Sequence, residues 1–115
     1  MATVISRKVF SYEEAVRLLP AVRERTRQAM ERIGALDATP AEGEEESAGE
    51  RVRVAAEEIL TSWAEDIAAW GIEVKGPWLV DFDSGAGYYC WRWPEESLEY
   101  FHGYGEGFSG RVRLQ

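Results

Sequence analysis

The hydrophobic period of this chain changes at Gly71, and that switch limits the folds open to it. Before it, Val52, Ala56, Ile59, Trp63, Ile67 and Trp70 recur at spacings of three and four, the pattern of a helix carrying one continuous apolar stripe. Gly71 stands where a helix C-terminal cap belongs. After it the period is two: residues 72–75, 78–82, 87–93 and 97–102 read as short strands. The segments between them are rich in Gly, Pro and Asp and are too short for crossovers, so the strands are antiparallel. A helical part followed by a strand part, without alternation, predicts an α+β fold: an antiparallel helical hairpin packed on a small antiparallel sheet.

The first arm of the hairpin begins at a capping box. Ser11 can accept from the amide of Glu14, whose carboxylate can reach back to the Ser11 amide. Phe10 is then the staple residue, with Ala15 as a weak partner. Val16, Leu19, Val22, Ala29, Met30, Ile33 and Leu36 follow helical spacing, but Pro20 lacks an amide and crowds the preceding turn. The expectation is a short helix, a kink, and a longer helix from Pro20 to about Ala35. Residues 1–9 read as an extended lead with room for a short strand at residues 3–5. Residues 37–49, DATPAEGEEESAG, offer nothing to bury and read as a solvated linker. The second helix is expected from about Ala48 to Trp70. The whole chain, residues 1–115, is read as one domain, with the hairpin at about 11–70 and a β-rich part at 72–115.

Charge and composition exclude several functions. The net charge is −8, with six acids and no base in residues 37–50 and seven Lys/Arg against four Asp/Glu in residues 1–36. Such a chain does not attract phosphate backbones as a whole, and its basic first segment is expected to pair with acids of the neighbouring helix. No nucleic-acid partner is expected. The acidic linker lacks the alternating ligands of a calcium loop. No apolar run is long enough to span a membrane, and the N-terminus has no signal-peptide pattern. With one cysteine, no internal disulfide can form, so a cytoplasmic location is expected.

The chemistry-bearing side chains cluster late. The single cysteine, Cys90, the single histidine, His102, and three of the five tryptophans lie between Gly76 and Gln115. Asp, Cys and His are competent zinc ligands, but no short Cys-x-x-Cys or His-x-x-x-His spacing exists, so no metal site and no cofactor are expected. Whether Cys90 and His102 meet depends on the register of their hairpin. A four-residue loop over 94–97 pairs Trp93 with Leu98, Arg92 with Glu99, Trp91 with Tyr100 and Tyr89 with His102, leaving Cys90 opposite Phe101. A slip of one residue joins Cys90 to His102 but loses the Arg92–Glu99 pair, so the first register is expected and no catalytic pair is assigned. The run Gly105-x-Gly107-x-x-Gly110 lacks a following helix to hold a phosphate and reads as turns with positive φ. Trp63, Trp70, Trp91 and Trp93 read as core.

Several of these pieces together resemble a known family. Val80-Asp81-Phe82, Cys90-Trp91-Arg92, Glu95, the aromatic pair Tyr100-Phe101 before His102, and Gly107-Phe108-Ser109-Gly110-Arg111 are similar to an uncharacterised bacterial family, domain of unknown function 2203. Glu13-Glu14-Ala15 and Leu18-Leu19-Pro20 fit its opening helix. The chain departs from that pattern at Asp83, where the family has proline, at Pro94, where it has glycine, and at Gly103, where it has an acid after the histidine. If that acid orients the imidazole, His102 lacks this partner. The resemblance implies a fold and boundaries and brings no assigned activity.

The functional expectation has two branches. The first is a non-enzymatic interaction module, a homodimer through its helices, because one short sheet would not cover the stripe ending in Trp63, Ile67 and Trp70. The second is a small-molecule, anion or metal-binding protein, or an enzyme, with a site in the C-terminal sheet. Its candidate ligand-binding residues are Asp81, Glu95, His102 and Arg111.

Overall fold

The computed structural model describes residues 8–37, 39 and 45–114. The strand considered at residues 3–5 lies outside them. Two helices, α1 (Tyr12–Gly34) and α2 (Glu45–Ala69), precede five strands: β1 (Glu73–Gly76), β2 (Leu79–Asp83), β3 (Tyr88–Arg92), β4 (Tyr100–His102) and β5 (Val112–Arg113). The strands form one antiparallel sheet in chain order. The fold is α+β. β5 was not anticipated: its two exposed residues carry no hydrophobic pattern, and it exists by pairing with β4.

The capping box at the start of α1 is complete, with Glu14 N donating to Ser11 Oγ and Ser11 N donating to Glu14 Oε1. The helix then runs through Pro20 without interruption, contrary to the expected break. Pro20 and Val16, whose carbonyl loses its amide partner, both lie on the exposed face, where the lost bond is not also a buried one. The face that α1 buries is Ala15, Leu19, Val22, Thr26 and Ala29. α2 begins at Glu45, inside the segment read as linker, and Ala48 is already buried. The acidic run masked that helix start, although glutamate is a good helix former.

One apolar cluster joins both helices to one face of the sheet. Leu19 and Val22 meet Ile59, Trp63 and Ile67, and all pack on Ile72, Val80, Phe82, Trp91 and Leu98. Trp63 is 1% exposed and Ile67 0%, so these two residues of the α2 stripe are covered within one chain, while Val52, Ala56 and Trp70 are half-buried. A tryptophan that deep needs an acceptor for its N–H. Trp63 Nε1 donates to Thr26 Oγ1 at 2.8 Å, and that hydroxyl donates to Val22 O at 2.8 Å. The helices are also tied by Arg25 and Asp66, 2.6 Å apart, as expected for the basic first segment. Arg27 pairs instead within its own helix, with Glu24 and Glu31. At the β1–β2 turn Trp78 adopts φ 61°, a left-handed value that costs a non-glycine residue about 1–2 kcal/mol. Its ring is held edge-on against Trp63, with centroids 4.8 Å apart.

The register between β3 and β4 differs from expectation by one residue. Tyr88 pairs with His102, Tyr89 with Phe101 and Cys90 with Tyr100. The connection is not a tight loop over 94–97. β3 ends at Arg92, and residues 93–99 pass through contacts that a hairpin count does not foresee. Trp93 N donates to Trp78 O, Trp91 Nε1 donates to Glu95 O, and Leu98 drops into the core. The expected Arg92–Glu99 pair is absent from the register. Glu99 meets Arg113 of β5, and Arg92 lies over the Phe108 ring. Because side chains alternate along a strand, the shift of one moves His102 onto the face that carries Cys90.

Candidate functional site

The second face of the sheet carries the polar residues. Along β2, Val80 and Phe82 enter the apolar cluster, so Asp81 and Asp83 point the other way. Asp81 pairs with Cys90 and Asp83 with Tyr88 across β2–β3, and Tyr88 pairs with His102 across β3–β4. This face is covered too, by the segment from Gly103 to Arg111. Asp81, Asp83, Cys90 and His102 are each 3% exposed or less. Buried ionisable groups are costly unless paired or bound to something.

Asp81 and His102 pair directly, with His102 Nε2 2.9 Å from Asp81 Oδ2. The other ring nitrogen, Nδ1, lies 2.8 Å from Gly103 O and must donate to it, since a carbonyl only accepts. Nε2 of the neutral imidazole is then a lone pair facing a carboxylate oxygen. A cation has to lie between them: a shared proton, or a metal ion. Where the family pattern has an acid after the histidine, the Gly103 carbonyl orients the ring instead. A side chain at 103 would press on Glu106, whose carboxylate caps the Gly103 amide at 2.7 Å. The remaining oxygen of Asp81, Oδ1, is buried and has no hydrogen-bond partner.

Cys90 completes the group. Its sulfur, a carboxylate oxygen of Asp81 and a ring nitrogen of His102 all lie within 4.8 Å of one another. Burial and the adjacent Asp81 carboxylate push the thiol up to about 12, with the Arg111 guanidinium pulling weakly the other way. In the metal-free protein Cys90 is therefore a protonated, unreactive thiol. The expectation that Cys90 and His102 lie on opposite faces fails. The reading that nothing activates the thiol does not depend on it, because His102 is engaged by Asp81.

Glu95 and Arg111 form a separate pair beside this group. Arg111 Nη1 and Nη2 reach the two carboxylate oxygens of Glu95 at 3.0 and 2.5 Å, and Glu95 Oε1 also accepts from Arg92 N. The guanidinium lies between the rings of Tyr100 and Phe108, 3.9 and 4.1 Å from their centroids. Burial is the largest single effect and works against its charge, but the Glu95 carboxylate and the neighbouring Cys90 together raise Arg111 above its ordinary value. This bidentate pair ties the covering segment to the turn after β3, and the guanidinium also borders Cys90.

The four residues singled out from sequence thus fall into two pairs, Asp81–His102 and Glu95–Arg111. Cys90 was set aside and belongs with the first. Neither register weighed from sequence is the observed one: Cys90 pairs with Tyr100, and His102, two residues on, shares its face as a diagonal neighbour. Asp83, the departure from the family's proline, is 1% exposed and accepts from Gly85 N and Tyr104 Oη. Its carbonyl accepts from Phe10 N. Of the late glycines only Gly107, at φ 68°, has the expected positive φ, and residues 108–110 form a 3-10 turn rather than a phosphate-binding helix. Gly87 is demanded by space: a Cβ there would lie 2.7 Å from His102 O and 2.4 Å from the Phe101 ring.

Among the described residues no helix is long and apolar enough to cross a membrane. No curated protein and no solved structure shows a significant match to the chain. A family profile, described as an uncharacterized conserved protein (DUF2203), matches residues 8–114 and so spans α1, α2 and the whole sheet. The chain belongs to this family of uncharacterised conserved proteins, domain of unknown function 2203.

Proposed function

We propose that this protein binds a divalent transition-metal ion, of the zinc class, through Asp81, Cys90 and His102. The observation that carries the reading is the convergence of three buried donor side chains. One oxygen of the Asp81 carboxylate lacks a hydrogen-bond partner, the His102 imidazole lies 2.9 Å from the other, and the Cys90 sulfur adjoins both. Sulfur, nitrogen and oxygen donors from separate strands suit a tetrahedral ion. At usual bond lengths such donors sit about 3.3–3.7 Å apart, so small shifts within the 4.8 Å spread suffice. The Nδ1–H···O=C bond to Gly103 is the outer contact that a metal-bound histidine characteristically makes. A divalent charge would also reverse the electrostatics that hold the thiol protonated.

Metal content of untagged protein, measured by elemental analysis after gel filtration, tests the reading. One equivalent of zinc or a similar ion is expected, or its uptake by apoprotein. Cobalt loading should give a thiolate charge-transfer band that Cys90→Ser removes. Protein that neither carries nor takes up such an ion would overturn the proposal, and Asp81–His102 would then be an internal ion pair.

A further inference from the structure

The three donor residues also form one wall of a cavity of about 330 Å³. Leu79 and Phe108 supply apolar surface, and Lys75 and Tyr104 supply polar groups. Among the described residues no fourth His, Cys, Asp or Glu joins the donor group. Structural zinc sites close with four protein ligands, whereas sites that act on other molecules keep a position open. Small-ligand sites occupy about 300–1,000 Å³, so this cavity has room for a small organic molecule beyond a coordinated water.

Resting on the metal reading above, we propose that the ion's remaining coordination position opens into this cavity and takes a small carboxylate with an apolar tail. The charges agree. An aspartate, a thiolate and a divalent ion sum to zero around a neutral imidazole, so an anion is not repelled. The Lys75 ammonium on the cavity wall is paired with Glu73 at 3.1 Å and lies over the Tyr88 ring, so it offers N–H donors to a carboxylate rather than net charge. The carboxylate oxygen displaces a metal-bound water, and the tail lies against Leu79 and Phe108. Arg111 is engaged by Glu95.

Cobalt-loaded protein separates this proposal from the one it rests on. The thiolate band reports the metal, and the d–d bands report the open position. Acetate, phenylacetate and the neutral phenylacetamide are titrated against the d–d bands. Phenylacetate is expected to bind at least tenfold more tightly than acetate, with phenylacetamide producing no change. Phe108→Ala should remove most of the phenylacetate advantage while the thiolate band is monitored for metal retention. If the thiolate band forms but neither carboxylate moves the d–d bands, the position is closed and this inference fails while metal binding stands. Equal affinity for acetate and phenylacetate would overturn the assignment of the cavity. Absence of the thiolate band would overturn both.

Discussion

Replacing Asp81 by Asn separates the two roles this residue could have. In the metal-free protein the Asn amide can donate to His102 Nε2, while Nδ1 keeps its bond to Gly103 O. The imidazole is then neutral and satisfied. A neutral hydrogen bond, about 0.5–1.5 kcal/mol, replaces a buried ion pair whose attraction was offset by desolvation. The unpartnered Oδ1 becomes an amide oxygen, which is cheaper to bury than a carboxylate oxygen. Metal-free stability should therefore change by no more than about 1 kcal/mol, or about 4 °C in Tm for a chain of this size. Zinc at a hundred times its Kd stabilises the wild type by about 2.7 kcal/mol, about 10 °C on the same scale. With one of three donors neutralised, Asp81→Asn should lose most of that increment at the same zinc concentration. Thermal melts followed by circular dichroism, first with a chelator and then with zinc, measure both quantities. A metal-free loss of about 3–5 kcal/mol, the cost of breaking a buried pair, together with equal zinc shifts in both proteins, would refute the reasoning. Asp81 would then be an ion-pair residue alone.

Other outcomes follow from the core, the thiol and the linker. Thr26→Val should cost about 1–2 kcal/mol, because it strands the buried Trp63 N–H. In a Trp63→Phe background it should cost almost nothing, and equal costs in a urea-denaturation double-mutant cycle would show that the hydrogen bond is not the source. In metal-free protein the alkylation rate of Cys90 should keep rising with pH and not level off below about 12. Since the folded thiol is raised from an ordinary value of 9.0 to about 12, its contribution to stability is complete below about 9 and is lost as pH rises between the two values. A rate plateau below neutral pH would contradict this. Replacing residues 37–44 by a short Gly/Ser loop should leave Tm within a few degrees, because each doubling of loop length costs only about 0.6 kcal/mol. Extending the replacement through Ala48, which is 2% exposed, should cost measurably more, and a cooperative loss of fold from the shorter replacement would mean that the linker carries packing contacts.

Period alone was enough to read the fold class. The stripe through Ile59, Trp63 and Ile67 and the alternation of Val80 with Asp81 each determine a local geometry, and together they put helices on one face of a sheet. The capping box at Ser11 was equally legible, because every group in it lies within four residues. Pro20 was misread because its effect depends on which face of α1 meets solvent, and a local rule does not contain that information. The site depended on more distant relations. Asp81, Cys90 and His102 come together only through the register of β3 and β4. That register follows from Trp93 pairing with Trp78, Leu98 entering the core and Glu95 receiving Arg111. Sequence named four of the chemically important residues, but a strand has a period of two, and a shift of one decides which face each side chain occupies. The tertiary contacts of residues 93–99 made that choice, and with it they put a thiol, an imidazole and a carboxylate in one buried group.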